Sequence, residues 1–247
     1  MTPLKLSTTK SEHKSEQVVE TLAQAIVRKD YQEGVFLPSE GELCRQYGVS
    51  RSVIRDTIRR IAAAGLVETR HGIGTYINPS SEWNLFDPLL LAAFIDSGNL
   101  PAISQELVEL RTMVEIESAR LAAQRITPRT RQLLHEWLEQ MEIGIDDIET
   151  FVRADVAFHN LIIASTENRF LIQITKYLTG LSIESRRITS EIGGSAGRRE
   201  AQQWHCAIYE ALCQQNPAAA SDAMRQHMEQ LREIMTRALR TLAPPGD

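Results

Sequence analysis

Apolar residues recur at helical spacing from Ser15 to Lys29, where Val18, Leu22, Ala25 and Ile26 share one face. Gly34 to Pro38 interrupts the pattern. Ser39 followed by Glu42 is a capping box ahead of a short helix, EGELCRQY, which Gly48 ends. Ser50 is placed to cap a third helix, RSVIRDTIRRIAAAG, which stops at Gly65. The pattern then changes to alternation, LVETR and GTYIN around an HGIG turn, which predicts a two-stranded hairpin. The Pro-containing stretch NPSSEWNLFDP reads as a linker.

Every later segment is helical in period. Helices are predicted at about 87–96, 101–125, 128–143, 148–166, 169–188, 199–215 and 217–241, with EIGGSAGRRE as a loop between two of them. Thr127-Pro128 and Asn216-Pro217 each place a capping residue before a proline at the first helical position. The expected architecture is mainly α: an N-terminal winged helix-turn-helix and a C-terminal all-helical antiparallel bundle. The expected boundaries are a disordered tail at 1–14, a DNA-binding domain at 15–78, a linker at 79–86 and a helical domain at 87–242.

Composition adds little until it is divided. Of 247 residues, 43% are apolar and 24% charged, ordinary for a globular protein. No segment approaches the roughly 18 apolar residues of a membrane span, and the polar N-terminus lacks a signal peptide's apolar core. A cytoplasmic protein without membrane contact is expected. Three cysteines without CxxC spacing argue against a disulfide framework or a cysteine zinc cluster. The net charge of −5 hides a contrast: residues 1–78 carry 11 Lys+Arg against 9 Asp+Glu, and the remainder is acidic. Between Arg51 and Arg60 stand four arginines and a single acid, Asp56.

That arginine-rich helix has the chemistry of a base reader. Arg51 and Arg55 lie one turn apart, and either can donate two hydrogen bonds to a guanine. Ser52 beside them suits a base edge or a phosphate. Arg59 and Arg60 suit phosphates or water. His71-Gly72 at the hairpin tip can approach a minor groove. FLPSEGELCRQYGVSRSVIRDTIRRIAAAGLVETRHGIGTYI resembles the DNA-binding domain of GntR-family transcription regulators. The resemblance implies DNA contacts by Arg51, Ser52, Arg55, His71 and Gly72. Gly41 stands where the family usually has a long polar residue that touches DNA, so one contact should be missing.

In the bundle, Asp155 and His159 are four apart in FVRADVAFHNLI and face the same way. A carboxylate and an imidazole at that spacing can chelate a divalent ion. His205 and His227 lie on two later helices, and spacing alone does not bring them to Asp155. ELVELRTMVEIESARLAA, DVAFHNLI, WHCAIYEAL and MRQHM resemble the FCD domain of the FadR subfamily. That resemblance implies a metal held by Asp155, His159, His205 and His227, zinc first, with nickel or manganese possible. Trp204 replaces the usual glutamate before the third ligand. It also implies a small carboxylate effector, an organic or sugar acid, met by Arg111. The alternative for Arg111 is a salt bridge to Glu109, Glu115 or a distant acid. WNLFDPLLL resembles regulators of sugar-acid catabolism.

The reading that results is a homodimeric repressor of a palindromic double-stranded DNA operator, not an enzyme. Two alternatives are a metal-dependent hydrolase, for which no HExxH or Gly-x-Ser-x-Gly motif appears, and a regulator whose metal is purely structural.

Overall fold

A computed structural model describes residues 10–97 and 100–242. The chain forms two compact units, one ending at Leu100 and the other starting at Pro101.

The first unit opens with α1 (Lys10–Val27), α2 (Glu40–Tyr47) and α3 (Arg51–Ala63). The expected tail at 1–14 is helical from Lys10 onward, and its first nine residues lie outside the described residues. Val18, Leu43, Ile54 and Ile58 pack the three helices on one another. Ser39 and Glu42 complete the capping box at the start of α2, and Gly48 ends it in a left-handed conformation. Ser50 does not cap α3 with its side chain. Its hydroxyl instead meets Ser52 Oγ at 2.8 Å.

Gly65 turns the chain out of α3. Its φ of +78° favours glycine, and a Cβ there would stand 2.8 Å from the Glu82 carbonyl. The wing follows as β1 (Val67–Arg70) and β2 (Gly74–Ile77), antiparallel with Val67 opposite Ile77. Residues 34–37 run beside β2, where Leu37 N–H donates to the Thr75 carbonyl.

The helix expected to open the bundle belongs elsewhere. α4 (Pro88–Asp96), capped by Asp87, packs against α1 and lies in the first unit.

The second unit contains α5 (Leu100–Arg125), α6 (Pro128–Ile143), α7 (Ile148–Ala164), α8 (Arg169–Tyr177), α9 (Thr179–Cys213) and α10 (Pro217–Leu242). Thr127 and Asn216 act as the expected caps. Two expectations fail here. The segment 169–188 breaks at Leu178 into two helices. EIGGSAGRRE is not a loop: α9 runs through it with a kink at Gly194, where φ is +59°. Apolar side chains from α5, α6, α7, α9 and α10 form one core that includes Phe151, Phe158, Leu134, Ile208 and Met224. Among the described residues no helix is long and apolar enough to cross a membrane.

Gly65→Ala should destabilise the protein by about 1–3 kcal/mol, because it forces a left-handed alanine against backbone. Chemical denaturation against Gly41→Ala, a position with open space around it, measures the difference.

Candidate metal centre and DNA-reading surface

α7 carries Asp155 and His159 on consecutive turns facing the core. α9 contributes His205 and α10 contributes His227. All four are buried, and one ligand atom from each falls within 4.8 Å of all the others. His159 Nε2 lies 3.1 Å from Asp155 Oδ1 and 3.2 Å from His205 Nε2. His205 Nε2 is 3.2 Å from the same carboxylate oxygen. The His205 and His227 rings sit 4.5 Å apart.

A carboxylate behind the site fixes how His159 presents itself. His159 Nδ1 lies 2.5 Å from Glu115 Oε2 on α5, while its Nε2 faces Asp155. Asp155 Oδ1, His205 Nδ1 and both nitrogens of His227 lack hydrogen-bond partners. Each unsatisfied buried polar atom costs about 1–3 kcal/mol. Four buried ligand atoms within 4.8 Å of one another are a donor set that a divalent cation satisfies, and three imidazoles with a carboxylate suit zinc and its neighbours. The four residues fit a metal on that ground.

Two arginines hold the acids in place. Arg186, from the first half of α9, reaches Glu115 Oε1 at 3.0 Å and Asp155 Oδ2 at 3.3 Å. Arg111 Nε donates to Glu115 Oε1 at 2.9 Å, and its Nη1 to Ser185 Oγ at 3.2 Å. Burial alone would raise the Asp155 and Glu115 carboxyls, but Arg186 and the histidines outweigh it and hold both well below the ordinary range. Burial lowers His227 well below a free histidine, and its neighbouring rings lower it further. Burial also lowers His205, against the pull of Asp155. Both rings are ready to bind metal without first losing a proton.

Sequence reasoning found the four candidate ligands but not their supports. From sequence, Glu115 is a possible partner of Arg111 or a general base, and Arg186 a helix-end charge or a residue lining the effector pocket; neither points to support of the ligand cluster. The Arg111–Glu115 spacing of four repeats that of Asp155–His159, and this was the available signal. Two cavities flank the cluster. One, of about 20 Å³, is lined by Asp155, His205 and His227 together with Thr189, Ser190 and Arg198. The other, of about 30 Å³, is lined by Arg111, Glu115 and Arg186 and by apolar residues such as Leu110 and Val156. Arg111 thus faces the second cavity and not the ligand-lined one.

In the first unit, Arg51, Ser52, Arg55, His71 and Gly72 are all exposed. Arg55 is held from one side: its Nε donates to both oxygens of Glu40, at 3.2 and 3.0 Å. Arg60 is tied to Glu16 by two 2.8 Å bonds, and Arg59 is paired with Asp56. The Arg70 guanidinium stacks 3.8 Å over Tyr76 in the wing.

His227→Leu separates the metal reading from a packed polar core. In chelator-treated protein it should leave Tm unchanged or raise it, because it removes two unsatisfied atoms. In metal-replete protein it should lower Tm. Acid supplies the complementary test. The folded pKa values of His205 and His227 are lowered, so the unfolded chain binds more protons below about pH 6.5. Metal-free stability should fall as pH drops through that range, and less in His227→Leu than in the wild type.

Residues 14–77 match the gntR family of bacterial regulatory proteins, and residues 106–230 match the FCD domain. The galactonate operon transcriptional repressor of Escherichia coli K12 is 30% identical over 214 residues, 85% of this chain and 92% of that protein. The transcriptional repressor NanR of Citrobacter rodentium is also 30% identical, over 87% of this chain and 82% of its own length. A solved structure of Lar from Listeria monocytogenes shares the fold, with TM-score 0.64 at 19% identity over 95% of this chain and 99% of that one. The matched families and the named relatives are transcription regulators and not enzymes. The chain belongs to the gntR family of bacterial transcription regulators, with a C-terminal FCD domain.

Proposed function

We propose that this regulator is a cytoplasmic, homodimeric repressor whose helical unit senses a small carboxylate, an organic or sugar acid, at a metal bound by Asp155, His159, His205 and His227. The observation that carries the reading is the buried convergence of one ligand atom from each of those four residues. Zinc is the metal favoured by three imidazoles and one carboxylate, with nickel and manganese as rivals. A bound metal would supply an electrophilic centre for a carboxylate, and three of its ligands line a small cavity. The galactonate repressor among the relatives is in keeping with a sugar acid.

The DNA side rests on Arg51, Ser52 and Arg55 in the major groove and on His71 and Gly72 at the wing tip. Two readers related by a twofold axis require an inverted-repeat operator. α8 supports a dimer, because none of its residues is buried and Phe170 stands 87% exposed. Effector binding changes operator affinity only through its different affinity for two arrangements of the readers.

Metal analysis of the purified full chain tests the sensor. About one metal per chain is expected, and it should be lost in the His159→Ala/His205→Ala double variant. A sugar acid or small carboxylic acid should then raise the Tm of the loaded protein and change its operator affinity. A metal-free wild type that cannot be reconstituted refutes the metal. A loaded protein that melts higher with metal yet responds to no effector would make the metal structural. For the reader, Arg55→Ala should weaken operator binding by about 1–3 kcal/mol, and Glu40→Gln, which frees Arg55, should relax base preference at the position it reads. Anisotropy on operator variants measures both.

A further inference from the structure

We infer that Arg198 is the residue that takes the anionic group of the effector in the metal-side cavity, and that the effector carries a hydroxyl near that group. The inference rests on the sensor reading above.

Consider the buried charges around the cluster. Arg111 and Arg186 are matched by Glu115 and Asp155, which they contact directly. Arg198 is different. It is 7% exposed, yet the hydrogen bonds it makes among the described residues reach no carboxylate. Its partners are backbone oxygens: Nε donates to Ile145 O at 2.6 Å and Nη1 to Ser190 O at 2.7 Å. Ser190 lies four residues before the kink at Gly194, so the guanidinium braces the break in α9. These bonds orient the group but do not neutralise it. A buried cation without a counter-charge is costly, by several kcal/mol after relaxation.

The same guanidinium lines the cavity that Asp155, His205 and His227 line. A divalent ion there adds positive charge to a shell whose own acids are already paired. An anion in this cavity therefore meets uncompensated charge on two sides, the ion and Arg198. Planar guanidinium geometry suits a carboxylate or phosphate oxygen. Thr189, in the same wall, donates its hydroxyl proton to backbone carbonyls of its own helix, Ser185 O at 3.1 Å and Arg186 O at 3.0 Å. Its lone pairs remain for a ligand hydroxyl. The combination selects a hydroxy acid over a simple fatty acid. Arg111, committed to Glu115 and facing the other cavity, braces the acid behind His159 and does not meet the effector.

The test uses the metal-loaded full chain and calorimetry with three probes: D-galactonate, L-malate and inorganic phosphate. At least one should bind the wild type. Arg198→Gln should weaken that binding at least tenfold with metal content unchanged, and Arg198→Lys should lose less because it keeps the charge. Ser182→Ala, in the wall of the other cavity, should change affinity less than twofold. If Arg198→Gln misfolds by circular dichroism, Arg198→Lys with weakened binding and intact metal carries the comparison. Loaded wild-type protein that binds none of the probes, a metal-bearing Arg198→Gln or Arg198→Lys that binds like the wild type, or a tenfold loss from Ser182→Ala each overturns the inference while the metal reading stands. A wild type that takes up no metal overturns both.

Discussion

Burying ionised groups costs several kcal/mol each unless partners are supplied, and the helical unit is arranged around that constraint. Asp155 and His159 enter the core together because α7 presents them on consecutive turns. Once they are inside, Glu115 must orient the ring and Arg186 must neutralise both acids. Arg111 then completes the coordination of Glu115. Helices α5, α7 and α9 are thereby joined through charge as well as through apolar packing. What the protein does not supply is a partner for His227 and for the inner oxygen of Asp155. That residual demand is one that a divalent cation would satisfy.

The reader unit handles charge differently. Its arginines are exposed, and their ion pairs sit in water, where each contributes at most about 1 kcal/mol. Glu40 therefore holds Arg55 only loosely, while still limiting where its guanidinium points. Arg60 is further from such use, because Glu16 engages it through two bonds. Arg59 and Arg60, suited by sequence to phosphates or to water, are paired with Asp56 and Glu16.

Much of the fold was legible because capping and periodicity act locally. The capping box at Ser39, the caps at Thr127 and Asn216, and the alternation of the wing all predicted the elements that form. Expectations failed where tertiary contact overrules local signal. Gly193 and Gly194 read as a loop, yet Arg198 and packing against Ile234 keep α9 running through them with only a kink. Residues 88–96 read as the first helix of the bundle, but they pack on α1. The ligand set was partly legible. Asp155 and His159 announce themselves by spacing, whereas the convergence of His205 and His227 is set by how three helices pack. Glu115, Arg186 and Arg198 gave no sequence signal of their own, because a buried charge looks like any other until its partners are known.

The proposed metal centre puts one divalent ion among the buried side chains of α7, α9 and α10. X-ray absorption at the metal edge of the protein as purified tests it most directly. Three imidazole nitrogens and at least one carboxylate oxygen are expected at about 2.0–2.2 Å, with no sulfur. A spectrum showing a thiolate, which only the cysteines outside this cluster could provide, or showing a single imidazole, would place the metal elsewhere and refute the proposed centre.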